Sequence, residues 1–494
     1  MAANWTFALQ RRLFGKEINI SAGTLWAIFW IGAGSFVPLL FLQYVGEEAV
    51  YPIAAQEMHA SGEFIRATLY GYPFGRPGLY SWLIVALCHV LGDAHVLIAA
   101  RLITISSTLL IGLTLAWLVR SIFGDRLLAA FAAVVFLSGD VLLYRGWLAH
   151  VDPLFSLLTF GAMSCLWIAT EQRRRDLLVL AALSLIGAFL AKALTCYVFY
   201  AVLALVLLWR HRNRGFLFTP SSIVIHGAAI AFPLLWNYEI AGNSVLWAML
   251  GQTLLNAHLH TPQRAVTYAK FFIIYPFRTL FYLLPTSAIV LFSLLSGRTA
   301  PAAFRQNSVL IALSTAALNM LPYWLTPDSG TRYLMPIYPF FALVMAYAVL
   351  NAGKLIIDLC AKALIATVGI AYIAALIGFP LYEHFVRGSY DNAAQAIIRR
   401  AGNISLFASD DSSVGLSIVA DINTRRLPAP PVTRPPPGFA SGFVLSLHPD
   451  PAIGQIDTTF AVGHNPDGSR TRYLLCRGEA CSRDGKPPAG PLSF

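Results

Sequence analysis

Residues 79–92 read LYSWLIVALCHVLG, and the topology of the whole chain turns on whether they cross a membrane. The stretch is apolar, but about 14 residues are too few to cross a hydrocarbon core of roughly 30 Å comfortably. Laid on the surface as an interfacial helix, it lets the later loops alternate. RSIFGDR (120–126), EQRRRD (171–176), RHRNRG (210–215), GRTAPAAFRQ (297–306) and NAGK (351–354) then all face the cytosol, and each carries Lys or Arg. Threaded through the bilayer, it would put the triple-arginine loop and RHRNRG outside, against the cytosolic bias of basic loops. The chain is therefore read with eleven spans, its N-terminus inside, and residues 45–95 as the first outer loop.

The composition agrees. Of 494 residues, 57% are apolar and only 12% charged, with a mean hydropathy of +0.64. A soluble domain carries roughly a quarter charged residues, so repeated apolar runs near span length indicate a polytopic α-helical membrane protein. Such runs fall near 23–44, 96–119, 127–144, 153–170, 177–191, 194–209, 219–238, 275–296, 308–325, 334–351 and 362–382. The net charge of +11 would suggest nucleic acid in a soluble protein; here the basic residues sit in short loops as orientation signals, and no nucleic-acid partner is expected. The first run begins near Gly23, behind Arg11, Arg12 and Lys16, with nothing like a cleavage site after it, so it reads as an anchor.

Residues 1–382 form the expected transmembrane part, and residues 383–494 are charged and Pro-rich, with strand-like pieces FVLSLHP, TTFAVGH and TRYLLC. They read as a small soluble α/β domain on the outer side. Cys88, Cys165, Cys196 and Cys360 lie in apolar runs as packing residues, whereas Cys476 and Cys481 are spaced for a local disulfide in an oxidising compartment.

This topology places Glu47, Glu48, Arg76, Arg145, Asp152, Lys192, Asp328 and Arg332 on one side of the membrane. GEEAVYPIAAQEM (46–58) reads as a surface helix, and Pro52 fits only its first turn, so the helix begins near Ala49 or Val50. Glu47 and Glu48 then precede its N-terminus, where the dipole favours the ionised form that a general base needs. The plainer reading, favoured by cap statistics alone, is a pair of ordinary helix-leading acids. In LYGYPFGRPGLYSW (69–82), Arg76 reads either as a snorkelling cation or as a phosphate ligand. Asp152 precedes Pro153 at a helix start, as a cap or as a second acid. Lys192 interrupts an apolar stretch, which is expensive unless it reaches water or an anion. Arg332 and Tyr333 complete the set. His258 and His260 read as loop residues, and no metal motif is present.

These stretches resemble the GT-C polyprenyl-phosphate-sugar glycosyltransferases, the broad group of the aminoarabinose transferases of lipid A and the dolichyl-phosphate-mannose protein mannosyltransferases. The likeness lies in EEAVYPIAAQEM, in SGEFIRATLYGYPFGRPGLYSWL, in HVDPLF, in FLAKAL and in RYLMPIYPFFAL, in family order over roughly the first 350 residues. It departs from the family at Gly75-Arg76-Pro77-Gly78, where Glu-Lys-Pro-Pro is usual, and at Glu47, where Asp is usual.

The resemblance implies a GT-C fold with about 11–13 transmembrane helices and outer-face interfacial helices. It implies an inverting transfer from a polyprenyl-phosphate-linked sugar to an acceptor on the outer face: lipid A, lipopolysaccharide, another envelope glycolipid or a protein Ser/Thr. Glu47 or Glu48 would be the base and Asp152 would orient the acceptor or balance charge. Arg76, Lys192, Arg332 and Tyr333 would hold the donor phosphate, and Tyr72, Tyr80, Trp82 and Arg145 would line the acceptor or lipid groove. The partners implied are membrane lipids, the lipid-linked donor and the acceptor, for a monomer of the inner membrane with no certain cofactor. The competing class is a transporter or lipid flippase, since intramembrane charges also mark permeation routes. Against it, no internal repeat or broken helix is evident in the sequence.

Overall fold

The computed structural model describes residues 10–13, 16–238, 262–299, 304–326, 330–464, 468–482 and 492–493. Asp328, His258 and His260 lie outside them. Strands β1 (Gln10–Leu13) and β2 (Lys16–Asn19) pair antiparallel ahead of helix α1 (Ala22–Gly34), which Ser21 caps by accepting from the Thr24 amide. Helix α2 (Val50–Ser61), the short strands β3 (Thr68–Leu69) and β4 (Tyr72–Pro73) and helix α3 (Leu79–Leu91) follow. The long helices come next: α4 (Val96–Phe123), α5 (Arg126–Leu137), α6 (Asp152–Gln172), α7 (Arg175–Ala191), α8 (Thr195–Arg210) and α9 (Pro220–Trp236). Then come α10 (Pro262–Tyr282), α11 (Thr286–Leu295), α12 (Asn307–Leu325), α13 (Tyr338–Leu350) and α14 (Lys354–Ile373). The C-terminal part holds α15 (Tyr390–Ala401), β5 (Leu406–Ala408), α16 (Ser413–Arg425), β6 (Gly442–Ser446), β7 (Gln455–Ala461), β8 (Thr471–Arg477) and β9 (Leu492–Ser493).

Every apolar run is helical. Among the described residues six helices are long and apolar enough to cross a membrane, and a bent pair makes a seventh. The shorter apolar helices α3, α5, α8 and α9 account for other runs. This is a multi-pass membrane protein. Two runs differ from their expected form: in 127–144 α5 stops at Leu137 and a separate π-helical turn, Val141–Arg145, follows. The run 275–296 is no single helix but two, Tyr268–Tyr282 and Thr286–Leu295, bent by 110°. Pro285 has no N–H to continue the ladder, and apolar composition alone carries no trace of the bend.

Contacts divide the chain into two units, Met1–Phe36 with Ile105–Trp147 and Asp152–Tyr372, and Val37–Thr104 with Leu148–Val151 and Ile373–Phe494. In the first, α13 is apolar on every face and buries Phe340, Leu343, Ala346 and Val349, as a helix at the centre of a bundle must. Phe340 meets Phe160 edge-on at 5.3 Å. Asp125 caps α5 by accepting from the Leu127 and Leu128 amides, and α5 buries every residue from Leu128 to Leu137.

In the second unit a five-stranded sheet runs β5-β6-β8-β7-β9, with parallel pairs at β5-β6 and β7-β9 and antiparallel pairs between. The three strand-like pieces read from the sequence are β6, β7 and β8. The core of this unit joins Tyr44, just before the first loop, and Ile53 and Tyr70 within it to Ile397, Ile418, Leu445, Phe460 and Leu474 of the C-terminal part. Cys476 and Cys481 are disulfide-bonded with their Cα atoms 5.2 Å apart. The four remaining cysteines are buried.

Candidate active site

In the loop-bearing unit, Gly46 turns the chain at φ +60° and α2 starts at Val50, so Pro52 stands in its first turn as its missing N–H requires. Glu47 and Glu48 precede that N-terminus, and the structure separates their fates. Glu47 is exposed, whereas Glu48 is 0% exposed. The Glu48 carboxylate accepts from Arg101 Nε at 3.0 Å and Nη2 at 2.6 Å, from the Val45 amide at 2.7 Å and from the Ala149 amide at 2.6 Å. Arg101, equally buried, also donates to the carbonyls of Leu39, Leu42 and Gln43. A buried carboxylate with four donors has no lone pair to offer an acceptor hydroxyl. Glu48 is therefore a structural clamp, which removes it as a base.

Nothing in the sequence reading pointed to Arg101, although one signal was there: a cation inside the run 96–119 is as costly as Lys192 in its own run. Glu57 was missed as well. Buried on α2, it accepts from Thr68 Oγ1, the Tyr70 amide and the Gly71 amide, and so pins the β3–β4 hairpin, which ends three residues before Arg76. Burial pushes its carboxyl above the ordinary range, against those three hydrogen bonds. Arg76 is exposed, donates to Tyr51 Oη at 3.0 Å and lies over the Phe74 ring.

The aromatic residues expected to line a groove divide. Tyr80 is fully buried and hydrogen-bonded to Ala100 O and Thr104 Oγ1, so it is a core residue and lines no groove. Trp82 donates to Phe64 O at 2.6 Å. Tyr72, 49% exposed, lies beneath the Arg434 guanidinium.

The helical unit builds a second constellation. Helix α7 stops at Ala191 and α8 starts at Thr195, leaving Lys192 as the cap residue between them. Its Nζ is ion-paired with Asp152 Oδ1 and lies 4.6 Å from the Tyr333 ring centre and 5.6 Å from that of Phe155. The expectation of a lysine reaching water or an anion is met by a carboxylate of the same chain. Arg332, exposed, shares the Tyr333 ring at 5.3 Å.

Beside it, a single π-helical turn (Val141–Arg145) presents Arg145. Its guanidinium pairs with Asp140 at 2.6 Å, stacks on Tyr282 at 4.3 Å and donates to Thr331 Oγ1 at 3.3 Å. Arg145 thus belongs to a charged cluster. Arg278, absent from the sequence reading, donates to Tyr282 Oη at 3.2 Å. Among the described residues four cations, Arg145, Lys192, Arg278 and Arg332, stand with two carboxylates, Asp140 and Asp152, which leaves two positive charges over. The buried Tyr275 hydroxyl, without a hydrogen-bond partner among the described residues, lies within electrostatic reach of Arg145 and Arg278. A site with surplus cations and a waiting hydroxyl donor suits a phosphate.

The α10–α11 bend holds this cluster in place. Gly139 sits at φ +66°, and a Cβ there would meet Leu284 O at 2.4 Å and Tyr282 O at 2.8 Å. Only glycine lets the Asp140 turn close onto the bend that carries Tyr282.

No protein-family model matches the chain. Among solved structures, ArnT from Cupriavidus metallidurans bound to undecaprenyl phosphate aligns over 92% of this chain and 98% of its own, at 13% identity and a TM-score of 0.63. Its apo form aligns over the same shares at 14% identity and 0.62. This is the GT-C fold. The archaeal oligosaccharyltransferase AglB from Archaeoglobus fulgidus, in complex with an inhibitory peptide and a dolichol-phosphate, shares the GT-C fold more distantly. It aligns over 86% of this chain and 69% of its own, at 12% identity and a TM-score of 0.54. Among the described residues no group of three or more His, Cys, Asp or Glu is placed to hold a metal ion.

Proposed function

We propose that the protein is a glycosyltransferase that moves a sugar from a polyprenyl-phosphate donor to an acceptor on the outer face of the membrane. The observation that carries this is the cation-rich cluster of Arg145, Lys192, Arg278 and Arg332 around Tyr282 and Tyr333, within a GT-C fold. The ArnT structure of that fold was solved with undecaprenyl phosphate bound, which supports a lipid-linked phosphate as the ligand.

In the proposed reaction the acceptor oxygen attacks the anomeric carbon, the bond from that carbon to the phosphate oxygen breaks, and configuration inverts. Glu47, exposed ahead of α2, takes the proton from an acceptor hydroxyl, a contribution typically of about 10²–10⁴ in rate. Asp152, held in one orientation by Lys192, faces the positive charge that develops at the sugar. Arg76, Lys192, Arg332 and Tyr333 stabilise the departing polyprenyl phosphate, and the structure adds Arg145 and Arg278 as candidates for the same task.

The acceptor proposed is lipid A, lipopolysaccharide or another envelope glycolipid, and the membrane a bacterial inner membrane. The Cys476–Cys481 disulfide supports an oxidising, periplasmic setting for the C-terminal part. Purified protein given a panel of polyprenyl-phosphate sugars and envelope glycolipids should release polyprenyl phosphate only with a matching acceptor. Mass spectrometry of glycolipids from cells with and without the gene should show one product losing a sugar mass. An unchanged glycolipid profile, together with solute uptake or lipid scrambling in liposomes, would replace this reading with a transporter.

A further inference from the structure

Three helices of the transmembrane unit have one end at the Asp152 cluster and the other far from it. Helix α6 begins at Asp152 and ends beside Glu171; at about 1.5 Å per residue its 21 residues separate the two by roughly 30 Å, a bilayer's hydrocarbon thickness. Helix α8 starts three residues after Lys192 and ends at Arg210, and α12 runs from Asn307 to Leu325, shortly before Arg332. The three distal ends enclose an open cavity of about 590 Å³ lined by Arg210, Arg212, Arg214, Glu171, His211 and Asn307.

The charge balance of this cavity is positive. Glu171 is already neutralised, with Oε2 accepting from the buried His211 Nε2 at 2.7 Å and Oε1 from Arg212 at 3.1 Å. His211 Nδ1 accepts from the Asn213 amide, which leaves the proton on Nε2. The carbonyl ends of two helices are covered by side-chain amides. Asn213 donates to Thr170 O and Glu171 O, and Asn307 donates to Arg210 O. These bonds satisfy the last carbonyls of α6 and α8, whose negative dipole ends still face the cavity. Helix α12 instead points its positive end there, and its N-cap residue Gln306 makes no side-chain capping bond. Arg210 Nε is buried and has no hydrogen-bond partner among the described residues.

A lipid-facing track leads to the cavity. On α8, Val198, Leu205 and Trp209 are 53%, 63% and 70% exposed and recur at helical spacing, and the Arg210 guanidinium stacks on Trp209 at 4.4 Å. An exposed tryptophan beside a cation, at the end of an apolar helix, is the signature of headgroup depth.

We infer that this cavity binds the phosphate headgroup of an anionic phospholipid in the leaflet opposite the Asp152 cluster, with Arg210 and Arg214 as the principal ligands and the acyl chains along α8. Basic pockets between helices on the cytoplasmic side are suited to such headgroups. The inference stands apart from the proposed glycosyl transfer, because it concerns the other end of the same helices.

The test uses the full-length protein, delipidated in detergent. Phosphatidylglycerol should raise the melting midpoint and survive as a bound adduct in native mass spectrometry, whereas phosphatidylcholine and millimolar inorganic phosphate should do neither. Arg210→Gln with Arg214→Gln should weaken phosphatidylglycerol binding by roughly fivefold for each arginine removed. Arg120→Gln, a basic change at the end of α4, should leave binding unchanged. Should the double variant fold poorly, Arg214→Gln alone, at an exposed position, carries the same expectation at half the logarithmic effect. Undiminished binding in the arginine variants, an equal loss in Arg120→Gln, or an equal shift with inorganic phosphate would each overturn the inference.

Discussion

Two neighbouring glutamates of one side-chain chemistry come apart once their surroundings are counted. Glu47→Gln should remove sugar transfer by about 10²-fold or more while leaving the melting midpoint within a degree or two of wild type, since its side chain is exposed. Glu48→Gln should act the other way, destabilising by about 3–5 kcal/mol because Arg101 is left buried without its counter-charge. Parallel thermal melts and transfer assays separate the two; a stable, inactive Glu48→Gln would restore it as a candidate base. The sequence showed both residues and their place ahead of a helix, but not their difference, because that difference is made by Arg101 about fifty residues away in the chain.

A third carboxylate gives a pH signature. Burial pushes the Asp421 carboxyl on α16 up to about 7, with Asp391 adding to the rise and Arg425 opposing it. A folded value above the unfolded one, near 3.9 for Asp, means that its stabilising effect is complete below about pH 4 and is lost as pH rises through 7. Asp421→Asn should therefore match wild type near pH 4 and melt several degrees higher near pH 8. A difference that does not grow with pH would refute the assignment.

At the scale of elements, hydropathy found the apolar helices but neither α15 nor α16 of the C-terminal part, and it took the runs 127–144 and 275–296 as unbroken. Helix α2 was placed to within a residue because Pro52 allows only one start, and the α7–α8 break was visible because Lys192 stands alone in its run. The 275–296 run hid both a 110° bend and Arg278, since averaging over apolar neighbours erases a single paired charge. Asp140, inside the run 127–144, disappeared for the same reason.

Gly139 tests whether that bend matters. Gly139→Ala places a methyl group against two backbone carbonyls at positive φ and should cost about 2–4 kcal/mol. It should also weaken donor binding, by moving Tyr282 off Arg145. A Gly139→Ala protein with wild-type KM for the donor would show that the bend does not position the arginine.

Across the whole molecule, the GT-C fold was legible from the order of the motifs, and the shared core of first loop and C-terminal part was not. Tyr44, Ile53 and Tyr70 look like ordinary interfacial aromatics and aliphatics until a sheet more than three hundred residues later covers them. The eleven-span topology makes a prediction of its own. The four unpaired cysteines are buried, so a single introduced cysteine reports cleanly. Ser61→Cys should react with an impermeant maleimide on intact cells, and Gln172→Cys only after permeabilisation. The reverse pattern would invert the chain in the membrane and move Glu47 to the cytosol.

Two sulfurs near the end of the sheet also record the history of each molecule. The bond between Cys476 and Cys481 closes only where thiols are oxidised, so on the proposed periplasmic placement of the C-terminal part a tail stranded during export should keep both as free thiols. Alkylation mapping of that one peptide would therefore act as a postmark, distinguishing chains that completed translocation from those that stalled before the last domain crossed.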